Sequence, residues 1–228
     1  MFVYSLAGLK VDESADLEAV AIEENETTAR SSVYQVLGRL FSIPDDDAYD
    51  KARDGGWTKE LEVASQLLPF NVEIGEETLP DDVSREDFEA EFLRLFEVGG
   101  VGGPESPLYG GLYAPDRMAA LEEVVRFYEY FGLKTADDDR RPADHLATEA
   151  DFMQYLTFKE AATQSERLRA SYRRAQLDFL ERQLSRWVPQ LAEKVESQSP
   201  MPFYAWATRY LRGFVAADVA YVQGVLGA

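Results

Sequence analysis

Apolar residues in this chain recur at intervals of three and four, and over no useful length do they alternate. Such spacing lines one face of a helix and does not suit a half-buried strand. Val33, Val36, Leu37, Leu40 and Phe41 set the pattern between Thr28 and Phe41, and Pro44 breaks it. Trp57 to Leu68 predicts a short helix stopped by Pro69. Ser84 to Glu97 predicts another: Ser84 and Asp87 resemble a capping box, and Phe88, Phe92, Leu95 and Phe96 make its buried stripe. Pro115 to Phe131 follows, with Met118, Leu121, Val125 and Tyr128 facing inward and Gly132 beyond its end. Helices are then expected from Asp144 to Ala162, from Ser165 to Ala192 and from Phe203 to Leu226. Pro189 should kink or end the second of these three. The fold class that follows is all-α, an irregular bundle of about eight or nine helices.

The residues that are missing narrow the chemistry. There is no cysteine, which excludes disulfides, zinc–thiolate sites, iron–sulfur clusters and thiol catalysis. His145 is the single histidine, too few for the usual two- or three-His metal sites. Forty-two acidic residues against 23 basic ones give a formal charge of −19. That disfavours nucleic acid and anionic membranes as ligands, since both need a basic footprint. The 23 basic residues are 17 Arg and 6 Lys. An acidic, lysine-poor surface suits a salty cytoplasm, where about 1 M salt shortens the Debye length to about 3 Å and screens self-repulsion. No stretch has the apolar length of a membrane helix, and the start, MFVYSLAGLK, lacks the basic region of an export signal. A cytoplasmic location is expected.

With 228 residues the chain fits one larger domain or two small ones. Four parts are expected: an acidic N-terminal arm over 1–27, a helical part over 28–133, a charged linker or hinge over 134–143, and a second helical part over 144–228. The segment Val98 to Tyr113 holds six glycines and two prolines in 16 residues, so it cannot be a helix. It has neither the Gly-Lys-Ser/Thr ending of a phosphate loop nor a preceding strand. With Phe92, Leu95 and Phe96 before it and Tyr109 and Tyr113 at its end, it suits a groove for an apolar peptide. The bland alternative is a connecting loop whose tyrosines fill the core. Arg141-Pro-Ala-Asp-His145 opens the next helix, with Asp144 placed to cap it and His145 near solvent. Glu149 lies one turn on, on the same face. A competing function is a nucleotide-binding hydrolase using the glycine-rich loop with Asp144, His145 and Glu149 as acid and base. It is disfavoured because no Lys or Arg lies between Val98 and Asp116 to hold phosphate.

Three stretches together carry a resemblance. They are Tyr34-Gln-Val-Leu-Gly-Arg-Leu-Phe-Ser-Ile-Pro44, Glu89-Ala-Glu-Phe-Leu-Arg-Leu-Phe96 with the Gly/Pro loop ending Pro107-Leu-Tyr-Gly-Gly-Leu-Tyr113, and Pro142-Ala-Asp-His-Leu-Ala-Thr-Glu-Ala-Asp-Phe-Met153. From about Thr28 onward the chain resembles the TorD/DmsD family of chaperones for molybdenum enzymes of the dimethyl sulfoxide reductase type. The resemblance implies a protein that is not an enzyme and carries no cofactor. It implies binding of the twin-arginine signal peptide and apo form of a catalytic subunit, with export delayed until the molybdopterin cofactor is in place. It also implies a peptide site at Phe92, Leu95, Phe96, Pro107, Leu108, Tyr109, Tyr113, Pro142, Asp144 and His145, and either a monomer or a helix-swapped dimer. From the residue types, the rings would cover the apolar part of the peptide and Asp144 would receive its arginines.

Overall fold

The structure is a computed structural model that describes residues 9–11, 24–75, 77–99, 103–135 and 141–227. Most of the expected acidic arm, Gly100 to Gly102 of the loop, and residues 136–140 of the expected linker lie outside these. Nine α-helices are present among the described residues: α1 (Glu26–Leu40), α2 (Asp46–Asp54), α3 (Gly56–Ser65), α4 (Arg85–Phe92), α5 (Arg117–Tyr130), α6 (Leu146–Ala162), α7 (Glu166–Phe179), α8 (Ser185–Ser197) and α9 (Pro202–Gly227). A π turn, Leu93–Glu97, extends α4, and another, Leu180–Leu184, joins α7 to α8 as one continuous rod. The all-α expectation holds.

Capping chemistry sets most boundaries. Asn25 caps α1 through its side chain, accepting from the Thr27 and Thr28 amides, and Thr28 completes a capping box. The Ser84–Asp87 box opens α4 as expected. Ser165 caps α7, and Gly132, at φ +69°, follows α5. Helix α2 leaves no apolar stripe in the sequence, because only Ala48 and Ala52 are buried in it. Its signals are the Asp45 cap and Gly55, at φ +73°, which ends α2 and precedes α3. Met118 departs from the expected inner face of α5 and is exposed, whereas Tyr128 is buried as expected, together with Val124. Pro189 does not end its helix, which runs on to Ser197. The proline has no N–H to give and crowds the carbonyl one turn back, at Ser185. The π turn ending at Leu184 already interrupts the regular ladder there.

Helix α6 is the central post. Every residue from Leu146 to Phe158 is buried, and α1 and α7 pack along it. Gly38 of α1 faces Ala150 and the Ala147 carbonyl, so the two helices approach closely. One hydrophobic core runs from Leu9 to Val222 and includes both flanks of residues 134–143. A two-stranded antiparallel ribbon, β1 (Leu9–Val11) with β2 (Leu133–Thr135), pairs Leu9 with Thr135 and Val11 with Leu133. Three residues per strand are too short to show an alternating pattern in the sequence. The start of the expected linker is therefore tied to the N-terminal segment. No helix of the described residues is long and apolar enough to cross a membrane.

Candidate functional site

The Gly/Pro loop lies against the N-terminal end of α6, and backbone bonds hold it there. Leu146 N–H donates to the Leu108 carbonyl at 2.8 Å, and Gly110 N–H donates to the Asp144 carbonyl at 2.9 Å. Tyr109 and His145 thus form an antiparallel bridge. Between Gly110 and Tyr113 the loop makes a short 3-10 turn. Tyr113 then stacks on Trp187 of α8 with ring centroids 5.5 Å apart.

His145, not Asp144, caps α6. The reason is the direction of the chain: Asp144 is turned to the loop, where its Oδ2 accepts the Gly111 N–H at 2.9 Å. His145 Nδ1 accepts the Ala147 N–H at 3.1 Å. A ring nitrogen that accepts carries no proton, so the proton of the neutral ring is on Nε2, 3.3 Å from Glu97 Oε1. The other Glu97 oxygen accepts the Tyr109 hydroxyl at 2.7 Å. Burial pushes the Glu97 carboxyl up, but the bonds from His145 and Tyr109 outweigh it and hold the group below the usual carboxylate range. The expectation of a solvent-side His145 is also corrected, since its ring is buried between Glu97 and Tyr109.

Behind the turn sits a second carboxyl. Glu149 is buried, with Oε2 accepting from Trp187 Nε1 at 3.1 Å and Oε1 without a partner among the described residues. Burial first, and then the charge of Asp144, push it well above the ordinary glutamate value, despite the Trp187 bond. Glycine is required here: a Cβ on Gly110 would sit 2.8 Å from Trp187 Nε1, and one on Gly111 would sit 2.8 Å from Asp144 Oδ2.

The ten expected site residues divide into two groups. Tyr109, Tyr113 and Pro142 are partly exposed near the loop and α6 junction. Asp144 and His145 are buried there and hold the backbone in place. Phe92, Leu95, Phe96 and Leu108 are at most 1% exposed and present no surface, and Pro107 is buried with them. Phe92 and Phe96 pack edge-on to each other and to Tyr204, and Phe96 also meets Phe41. Beside the loop lies a groove of about 710 Å³, whose lining includes Gly110, Tyr113, Pro115, Ala119, Ala120 and Trp187. Its charged lining is Asp116, the cap of α5, and Glu123 against Arg126, Arg182 and Arg186. Sequence reasoning missed Glu97, which bore no motif; Trp187 belongs to the buried core and meets the groove at its edge. The hydrolase alternative is disfavoured further, because Asp144, His145 and Glu149, its acid and base groups, are all buried. Among the described residues no group of three His, Cys, Asp or Glu side chains is placed to hold a metal.

The fold is an all-α bundle whose Gly/Pro loop is fixed beside an open groove. Residues 55–193 match the family described as nitrate reductase delta subunit. The chain is 33% identical over 172 residues to the selenate reductase assembly chaperone protein of Thauera selenatis, covering 74% of this chain and 78% of that one. It is 32% identical over 210 residues to the perchlorate reductase assembly chaperone protein of Dechloromonas aromatica, covering 89% and 93%. It is 29% identical over 138 residues to the chaperone protein TorD of Vibrio parahaemolyticus, covering 60% and 63%. A redox enzyme maturation protein from Archaeoglobus fulgidus shares the fold, with TM-score 0.54 at 19% identity, over 87% of this chain and 99% of that one. The chain belongs to the nitrate reductase delta subunit family.

Proposed function

We propose that this protein is a non-catalytic maturation chaperone for a molybdenum-dependent reductase. It binds the apo catalytic subunit in the cytoplasm through its twin-arginine leader, holds it until the cofactor is inserted, and needs no cofactor of its own. The names of the relatives support the chaperone class. The observation that carries the leader-binding part is the open groove floored by Gly110 and walled by the Tyr113–Trp187 stack.

The physical division of labour follows from exposure. Tyr113, Pro115, Ala119 and Ala120 cover the apolar stretch of the leader, and a few hundred Å² buried contribute several kcal/mol, at about 25 cal/mol per Å², before ordering costs. Asp116 meets an arginine at the rim, where an exposed ion pair contributes at most about 1 kcal/mol and fades with salt, whereas Glu123 is already held by Arg182 and Gln183. Tyr109, Pro142, Asp144 and His145 shape the turn from behind. Fluorescence anisotropy of a labelled twin-arginine leader peptide tests this at about 0.1 M and about 1 M KCl, where the Debye length falls from about 10 Å to about 3 Å. Tyr113→Ala should weaken binding by about tenfold at both salts. Asp116→Asn should weaken it less, and only at low salt. Unchanged affinity in Tyr113→Ala would overturn the site.

A further inference from the structure

The ring of Tyr113, which lines the groove, meets two side chains of α8. Trp187 stacks on it with centroids 5.5 Å apart, and Lys194 holds its ammonium 4.7 Å from the ring centroid. The two lie seven residues apart, so they stand on one face of α8 about 10 Å from each other, and the ring reaches both. Trp187 is buried and anchored, its Nε1 donating to Glu149 at 3.1 Å. The ring is anchored too, because the Tyr113 hydroxyl donates to the Pro107 carbonyl at 2.9 Å. Lys194 is different: it is exposed, and no ion pair involves it among the described residues. The sequence explains this. The positions three and four away along α8 are Gln190, Leu191, Ser197 and Gln198, and none is a carboxylate. In a chain with 42 acidic residues, this ammonium therefore rests on an aromatic ring.

We propose that Lys194 is a displaceable cover on the groove: its ammonium occupies the Tyr113 ring in the free protein, and an apolar side chain of the leader takes its place on binding. The proposal rests on the leader-binding reading above and adds a regulator to that site. An exposed cation–π contact favours the covered state only about two- to fivefold, so apolar burial on the ring outweighs it. The flexible four-carbon stem lets the ammonium swing into water, where it regains full hydration. The cover thus keeps water-exposed aromatic surface occupied until a ligand with enough apolar surface arrives, and it holds back weakly apolar segments. The charged lining of the groove, three arginines against two carboxylates, already opposes a cationic leader, so the contact with the ring must be separated from simple charge repulsion.

The test uses the full chain, a labelled twin-arginine leader peptide and about 1 M KCl, which screens repulsion beyond about 3 Å. Lys194→Ala should tighten binding about two- to fivefold, and Lys194→Arg, which keeps a cation for the ring, should not. In a double-mutant cycle the gain from Lys194→Ala should vanish when Tyr113→Ala is already present. The contact is also read directly in the wild-type sequence, without any change at Tyr113. Lysines dimethylated with carbon-13 keep their charge, and the Lys194 signal is the one that Lys194→Arg removes. Ring current should shift it upfield in the free protein, and saturating leader should return it to the position of an exposed lysine. Unchanged affinity in Lys194→Ala, a gain of equal size in the Tyr113→Ala background, or a Lys194 signal that the bound leader leaves in place would each overturn the cover and leave leader binding standing. A wild-type protein that binds no leader overturns the leader reading itself, and the cover with it.

Discussion

Two carboxyls flanking the Gly110–Gly111 turn behave oppositely, and the difference lies in who donates to them. Glu97 receives two hydrogen bonds and keeps its charge; Glu149 receives one and resists ionisation. A glutamate raised in the folded state binds more protons there than in the unfolded chain, so its contribution falls as pH climbs from its unfolded value through its folded one. Glu149→Gln keeps the bond to Trp187 and removes the proton cost. It should therefore raise the melting temperature at pH 8 relative to wild type and give no gain near pH 4.5; a gain independent of pH would refute the assignment. Glu97 has the reverse sign: its contribution is present above its unfolded value and fades as pH falls through its lowered folded value. His145 is separable in the same way. Losing the cap in His145→Ala should cost about 1 kcal/mol, and His145→Asn, whose amide oxygen can take the Ala147 N–H, should restore most of that in urea titrations. Neither role was readable in the sequence. Asp-His at a helix start reads as an Asp cap, and only the bridge between Tyr109 and His145 shows why the histidine takes the position.

At the scale of elements, period and caps were legible and the orientation of faces was less so. The stripe Phe88, Phe92, Leu95, Phe96 was evident, but a stripe on α4 and its π turn can face a groove or a neighbour. The neighbour wins here because Tyr204 of α9 and Phe41 meet it. Phe96→Ala should then act on stability, by about 3–5 kcal/mol, and not selectively on peptide binding. Loss of leader affinity with an unchanged melting curve would restore Phe96 to the groove. A buried network shows what the spacing of apolar residues cannot. Arg30 of α1 donates to Asp218 of α9 through Nε at 2.5 Å and to Gln176 of α7 at 2.7 Å. Tyr34 also donates to Asp218. Asp218→Ala leaves the buried Arg30 with only Gln176 and, at 3.8 Å, Glu160, and should cost about 3–5 kcal/mol by chemical denaturation, whereas Arg30→Met with Asp218→Leu should cost clearly less. Similar losses in both would mean that the network contributes through packing alone. Asp218 interrupts an otherwise apolar stretch from Phe214 to Val222, so the sequence flagged the residue but not its partner 188 positions away.

For the molecule as a whole, charge and core pull against each other. A net −19 spread over the surface opposes compaction, while one continuous core holds both helical parts together through α1 against α6. The surface arginines soften the repulsion locally: Arg39 bridges Asp47 and Glu60, and Lys51 bridges the same two acids. Exposed clusters of this kind contribute little singly. The summed repulsion outweighs them, and salt weakens it by shortening the Debye length from about 10 Å at 0.1 M to about 3 Å at 1 M. The composition alone therefore predicts a direction. Raising KCl from about 0.1 M to about 1 M should increase the melting temperature, even though it weakens every exposed ion pair. If the pairs outweighed the repulsion, the melting temperature would fall. A neutral osmolyte matched for osmolality controls for exclusion from the surface, which stabilises without screening. A rise with KCl that the osmolyte reproduces in full would remove self-repulsion as the cause, and with it the link from acidic composition to a salty cytoplasm.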